Sequence, residues 1–137
     1  MSRCVFCDIV GGRSPDTNIE YENDKIVIFR DIKPAAENHF LAVSKIHYES
    51  AKTLRKEHID LIDLMEKSLT DHLTNMGVDT KDSLYGFHWP PMISVKHLHM
   101  HAIAPASKMS LTYRLMFKAD SFWFRTPESV RQTLRES

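Results

Sequence analysis

The sequence predicts an α+β fold, a five-stranded antiparallel sheet with one long helix packed across it and short helices near both ends. Three observations carry this. Between residues 18 and 43, and again between 84 and 104, short runs rich in β-branched and aromatic residues are separated by turn-forming clusters. Between those regions Leu54, Leu61, Ile62, Met65, Leu69, Leu73 and Met76 recur with helical periodicity and form one apolar stripe. In the stretch Ser94 to Pro105, His97, His99 and His101 alternate with other residues at the period of a strand. Strands, then a helix, then strands again argue for a sheet with helices segregated from it.

Taken in order, Cys4 to Val10 forms one or two helical turns, stopped by Gly11-Gly12. After the Ser14-Pro15 turn, Asn18 to Glu22 and Lys25 to Arg30 are the first two strands, with Glu22-Asn23-Asp24 as hairpin chemistry between them. Asp31-Ile32-Lys33-Pro34 breaks the second strand, and His39 to Val43 is the third. Ser50 to Met76 is the main helix, ended by Gly77, with His58 and His72 among its polar positions and so expected at the surface. Leu84 to His88 is the fourth strand, Trp89-Pro90-Pro91 a rigid turn, and Val95 to Ala104 the fifth strand. Residues 107–137 extend the same domain, with a helix over Leu111 to Lys118, the aromatic run Phe122-Trp123-Phe124 and a helix opened by Thr126-Pro127-Glu128.

A length of 137 residues with 42% apolar content predicts one domain, 1–137, with a core of ordinary proportions. Eighteen basic residues balance eighteen acidic ones, so there is no electrostatic case for a nucleic-acid partner or an anionic membrane surface. Met1-Ser2-Arg3-Cys4 carries no apolar leader, and no window approaches the ~18 apolar residues of a spanning helix, which predicts a soluble protein of the cytoplasm and nucleus. Cys4 and Cys7 lie too close for a useful disulfide loop and read as half of a zinc site. A thioredoxin-type redox pair would need a strand ahead of it, and only three residues precede Cys4.

Alternation on a strand puts His97, His99 and His101 on one face, with Leu98, Met100 and Ile103 on the other. Neighbouring imidazoles are then rooted ~7 Å apart, a spacing that suits several groups contacting one ligand. Histidine titrates near neutrality, so such a row can supply nucleophile, acid and base, a set that suits reactions at phosphorus. A solvated strand face, or a divalent metal held by two of the three rings, is the plainer alternative.

His97-Leu98-His99-Met100-His101-Ala102-Ile103 resembles the signature of the histidine triad superfamily, histidine-apolar repeated three times with a closing apolar pair. The Cys-x-x-Cys opening, Phe29-Arg30-Asp31-Ile32-Lys33-Pro34, His39-Phe40-Leu41 and Lys45-Ile46-His47 resemble its other landmarks, in order. Gly86-Phe87-His88-Trp89-Pro90-Pro91 and the aromatic tail most resemble the branch numbered 3 of the histidine triad nucleotide-binding proteins, itself similar to the catalytic domain of aprataxin.

The resemblance implies a sheet crossed by a long helix, usually in a homodimer, and an activity that needs no cofactor. It implies that His99 attacks the α-phosphorus of a nucleotide and forms a covalent nucleotidyl-imidazole. His101 then donates to the phosphate oxygens, with His97 completing the row and Ser94 near the leaving group. The nucleoside slot maps to Phe6, Ile9, Phe29 and Ile32, with Asp31 for the ribose hydroxyls. Zinc-bearing members hold a structural metal at positions matching Cys4, Cys7, His47 and His97. The chain departs from the best-known pattern ahead of the triad, where relatives carry an asparagine and a glycine-rich loop. Here Pro90 and Pro91 lack an N–H, and His88 stands as a replacement phosphate donor.

The expected function is hydrolysis of the P–N bond of adenosine, or more broadly purine nucleoside, 5′-phosphoramidates and of acyl adenylates. Removal of adenylate from DNA ends and non-catalytic binding of a nucleotide or metal are the alternatives. Neutral charge counts against the first of these, and the presence of His99 against the second.

Overall fold

The computed structural model describes residues 4–137; the opening Met1–Arg3, read above as carrying no leader, lies outside the described residues. Six strands form one antiparallel sheet: β1 (Tyr21–Glu22), β2 (Ile26–Arg30), β3 (Asn38–Ser44), β4 (Leu84–His88), β5 (His99–Ala104) and β6 (Phe124–Arg125), in the order β1-β2-β3-β5-β4-β6. The helices are α1 (Val5–Val10), α2 (Ile59–Asn75), α3 (Leu111–Met116) and α4 (Pro127–Arg135). Among the described residues no helix is long and apolar enough to cross a membrane.

Strand periodicity splits the sheet into two different faces. Ile26, Ile28, Phe40, Ala42, Met100 and Ala102 point one way and bury against Ile62, Met65, Leu69 and Leu73 of α2. Val27, Phe29, Leu41 and Val43 point the other way, under Phe6 and Ile9 of α1. The second face also carries two of the three histidines, because Leu41 pairs with His101 and Val43 with His99 across β3 and β5. Ile103 belongs to this face as well, at an odd position like the histidines, and packs with Ala35, Met109, Phe117 and Phe124; the expectation that it lies opposite them is corrected.

Four expectations about extent are corrected too. The long helix starts at Ile59 and not at Ser50: Ser50 makes no side-chain cap, short 3₁₀ turns take Ala51–Thr53 and Lys56–His58, and Arg55 between them is extended. The His58 ring accepts from the Arg55 N–H at 2.8 Å and helps set that late start. The first strand is only Tyr21–Glu22. The triad strand begins at His99, since residues 94–98 are held instead by loop bonds such as Leu98 N–H to Tyr48 O at 2.8 Å. A sixth strand, Phe124–Arg125, lies along β4. Gly86 permits this, because a Cβ there would fall 2.5 Å from the Phe124 ring and 2.7 Å from Arg125 O.

His72 is not a plain surface residue. Its Nε2 lies 3.0 Å from Glu20 Oε1 and its ring sits edge-on to Phe40, tying α2 to the chain entering β1. α4 packs on α2 through Val130 and Leu134, with Arg131 paired to Asp63 at 2.6 Å and to Glu66.

Candidate active site

The two active-face histidines and their supports form a chain of fixed ring protons. His99 Nδ1 lies 2.7 Å from the carbonyl of His97, which can only accept, so the ring proton sits on Nδ1 and the Nε2 lone pair is left free. Burial pushes the His99 imidazole down to about 4, so it is neutral across the physiological range. A neutral, oriented imidazole with one unprotonated nitrogen is a nucleophile.

His101 is set up in the opposite sense. Ala35 N–H donates to His39 Nδ1 at 2.9 Å, which places the His39 proton on Nε2. That N–H donates to His101 Nδ1 at 2.8 Å, so the His101 proton must sit on its Nε2. His101 Nε2 is buried and has no hydrogen-bond partner. A buried donor without an acceptor costs about 1–3 kcal/mol, and a ligand oxygen arriving beside His99 would relieve it. Burial, reinforced by neighbouring His99, holds His101 well below its ordinary value; burial takes His39 down to about 4 against the pull of Asp31.

His39 was missed as a site residue by sequence reasoning, which placed it at the start of a strand and in a family landmark but gave it no role. Its signal was position: it sits two before Leu41, the residue in register with His101, and so on the same face.

Asp31, His39 and His101 bring three potential metal-ligand atoms together, but His39 cannot serve as a ligand there through Nε2 without giving up the proton fixed by Ala35. His39 and His101 are hydrogen-bonded to each other, with Asp31 beside them. Asp31 Oδ2 lies 3.4 Å from His39 Nε2 while Oδ1 accepts from Lys33 N–H at 2.8 Å, so this carboxylate both starts the turn and faces the histidines.

His97 is turned away from the row. Its Nε2 lies 2.6 Å from Ser44 O and therefore carries the proton, while Nδ1 faces Cys4 Sγ at 3.3 Å, Cys7 Sγ at 3.5 Å and His47 Nδ1 at 3.1 Å. Cys7 Sγ and His47 Nδ1 are 3.2 Å apart. Tetrahedral zinc, with bonds of ~2.3 Å to sulfur and ~2.0–2.1 Å to nitrogen, separates its ligand atoms by roughly 3.3–3.8 Å. The four donors converge close to that geometry, and His97 has the tautomer that frees Nδ1 to ligate. His97 therefore has no nitrogen left for phosphate; it meets His99 through its carbonyl.

A cleft of about 1100 Å³ runs past His99 and His101. At one end are Phe6, Ile9 and Phe29, with the Phe6 ring edge-on to His99 at 5.0 Å and to Phe29 at 5.6 Å. Asp31 faces this end, and Ile32, 92% exposed, forms its outer lip and not a buried wall. Ser94 is exposed and lines the cleft beside Val95, which packs with Phe6, Ile9 and Phe29. His88 lines the cleft as well, but its Nε2 is held by the carbonyl of Met116 at 3.1 Å and burial lowers its pKa. A neutral His88 thus presents Nδ1, an acceptor, and is ill-suited as a phosphate donor.

A sheet crossed by one helix, with paired histidines of opposite tautomer on its other face, defines a protein of the histidine triad type, and the chain belongs to that superfamily. The family model described as "Scavenger mRNA decapping enzyme C-term binding" matches residues 3–116. The chain is 40% identical over 137 residues to the mouse protein named adenosine 5′-monophosphoramidase HINT3, covering 98% of this chain and 83% of that one. It is 36% identical to the Xenopus tropicalis protein of the same name, over 98% and 88% of the two chains. Its fold matches a histidine triad protein from Clostridium difficile with a TM-score of 0.68 and 29% identity, over 75% of this chain and 92% of that one.

Proposed function

We propose that this protein is a hydrolase of adenosine 5′-phosphoramidates acting through a covalent nucleotidyl-His99. The observation that carries the reading is the pairing of a free His99 Nε2 with an unpartnered His101 Nε2–H on one face of the cleft. The mouse and frog relatives, named for this activity, support it.

The nucleoside occupies the Phe6, Ile9 and Phe29 end, with Asp31 accepting from the ribose hydroxyls. His99 Nε2 attacks phosphorus; the new N–P bond forms as the P–N bond to the amine breaks, and the amine takes its electron pair and a proton relayed from solvent through Ser94. His101 Nε2–H donates to a phosphate oxygen, most strongly at the five-coordinate transition state. Water then displaces His99 and releases AMP. Acyl adenylates fit the same sequence, with a carboxylate as leaving group.

A structural zinc held by Cys4, Cys7, His47 and His97 belongs to this proposal, supported by the convergence and tautomer described above. When bound, the ion would crosslink the segment around α1 to His47 and His97, while His97 presents its carbonyl to His99.

His99→Ala should abolish turnover of an adenosine phosphoramidate while leaving the fold and AMP affinity in place, and quenched wild-type protein should carry acid-labile nucleotide on His99. Turnover near wild type in the variant, or label on His101, overturns the mechanism.

A further inference from the structure

α3 carries apolar side chains on two opposite faces, and the fold uses only one of them. Helical periodicity sets Tyr113 and, at the C-cap, Phe117 on the side opposite Leu111 and Leu115. Tyr113 and Phe117 pack inward with Ile103, Met109 and Phe124. Leu111 and Leu115 face solvent, 85% and 62% exposed, where a surface helix ordinarily carries polar residues. The chain after α3 folds back beside this outer face. Trp123 Nε1–H donates to Leu115 O at 2.8 Å, and the Phe122 ring, 66% exposed, lies 5.0 Å from the Trp123 ring. From Ser110 to Phe122 every residue except Tyr113, Phe117 and Ser121 is exposed, so the element projects from the domain with Leu111, Leu115 and Phe122 on its outside.

The charges carried by this element are of one sign. No Asp or Glu occurs from Ala106 to Ala119, whereas Lys108, Arg114 and Lys118 all fall there and are exposed. Among the described residues neither lysine ammonium has a hydrogen-bond or ion-pair partner. Arg114 reaches back to Met109 O at 3.1 Å and Ser107 O at 2.6 Å, which ties its guanidinium to the base of the same element. Two acids border the element and both accept hydrogen bonds, Asp82 from Ser107 N–H at 3.2 Å and Asp120 from Thr126 Oγ1 at 3.3 Å. The zero net charge of the whole chain hides this local excess. A two-fold contact through the face would bring the cations of both copies together, and a peptide helix docks in a groove, not on a projection. An apolar projection collared by cations fits the boundary of an anionic bilayer, where Leu and Phe side chains enter the interface and cations meet headgroup charge.

We propose that α3 and the Phe122 turn form a peripheral docking site for a bilayer bearing anionic headgroups. Leu111, Leu115 and Phe122 enter the interface, and Lys108, Arg114 and Lys118 meet the headgroups. The protein lies on the surface and does not span it, in keeping with the lack, among the described residues, of a helix long and apolar enough to cross. This docking is independent of the reaction at His99.

The test is sedimentation of the full chain with vesicles of phosphatidylcholine, alone or mixed with about one-third phosphatidylserine, at low ionic strength. The protein should bind the mixed vesicles at least about tenfold more tightly than the neutral ones, and added salt should weaken the binding. Leu111→Gln combined with Leu115→Gln should cut the affinity about tenfold or more, and Lys108→Ser or Lys118→Ser about fivefold each, the value of one cation beside an anionic surface. Met76→Gln, at an exposed apolar position closing α2, should bind as the wild type does. All these side chains are exposed, so melting temperatures should stay within about 2 °C of wild type and separate lost docking from lost fold. No binding of the wild type to mixed vesicles, or equal binding by the double leucine variant, overturns the proposal. So does a dimer in sedimentation equilibrium that the double leucine variant dissolves, which assigns the face to a second copy. Binding of a Glu-rich amphipathic peptide in place of vesicles assigns it to a protein partner and overturns the proposal equally.

Discussion

His39 has both ring nitrogens committed, and replacing it tests the logic of the whole site. His39→Phe keeps an aromatic ring of similar shape but removes the acceptor for Ala35 N–H at 2.9 Å and the donor to His101 Nδ1 at 2.8 Å. The first loss leaves a buried N–H unsatisfied and should destabilise the fold by about 1–3 kcal/mol. The second releases the His101 proton, which can then move to Nδ1 and turn a lone pair toward the phosphate oxygen. Losing one preorganised donor to a developing oxyanion costs roughly 10²- to 10³-fold in kcat, and because the tautomer is biased and not lost outright, the expected fall lies near the lower end. KM should change by less than about threefold, since the donation matters most at the transition state. His39→Gln, which keeps a donor near the position of Nε2, should recover part of the rate. Steady-state kinetics on an adenosine phosphoramidate, with ¹⁵N NMR reporting which nitrogen of His101 carries the proton, reads both effects. If kcat of His39→Phe stays within threefold of wild type while the proton has moved to Nδ1, the relay does not serve catalysis.

The remaining predictions concern pH, metal and ribose. Because burial holds His39 down to about 4 against 6.5 for an unperturbed ring, only the unfolded chain takes up this proton between those values. The contribution is therefore intact above pH ~6.5 and is lost as pH falls toward 4, by roughly 3 kcal/mol for this one residue. Denaturant midpoints should fall steeply over that window, and a flat profile from pH 7 to 4.5 would refute the buried neutral relay. Chelator-free protein should carry one equivalent of zinc, and Cys4→Ser should lose it together with several degrees of Tm; well under one equivalent with unchanged Tm removes the metal. Asp31→Ala should raise KM more than it slows single-turnover chemistry, and the reverse pattern would move Asp31 from the ribose to the phosphate.

Periodicity made the two-faced sheet legible, because burial acts on alternate residues and leaves its mark in the sequence. It placed His99 and His101 on one face, along with β4 and the Ile62, Met65, Leu69 and Leu73 part of the α2 stripe, whereas Leu54 lies ahead of the helix and Met76 is exposed beyond it. The rule did not reach His97, which lies outside the strand, and it was misapplied at Ile103, whose odd position puts it on the face of His99 and His101. The Cys4, Cys7, His47 and His97 set was legible through a resemblance, yet nothing in the spacing announced that joining it would withdraw His97 from the phosphate. Neither the role of His39 nor the tethering of His88 could be read from local pattern. Both depend on contacts between segments far apart in sequence, His39 with His101 and His88 with Met116.

The break in the triad strand also explains how the His99 ring is oriented. Were residues 94–98 to continue β5 between β3 and β4, the carbonyl of His97 would be available to a ladder bond, and its ring would stand in a row with the other two. The strand instead begins at His99, and the preceding loop is fastened by Leu98 N–H to Tyr48 O and by the His97 ring to Ser44 O. This leaves the His97 carbonyl free to accept the Nδ1–H of His99 at 2.7 Å. One residue thus divides its labour, with its side chain at the cysteine cluster and its backbone on His99. A substitution that deletes only the His97 ring should therefore act on His99 by loosening that carbonyl, so its kinetic cost should track the mobility of the 94–98 loop.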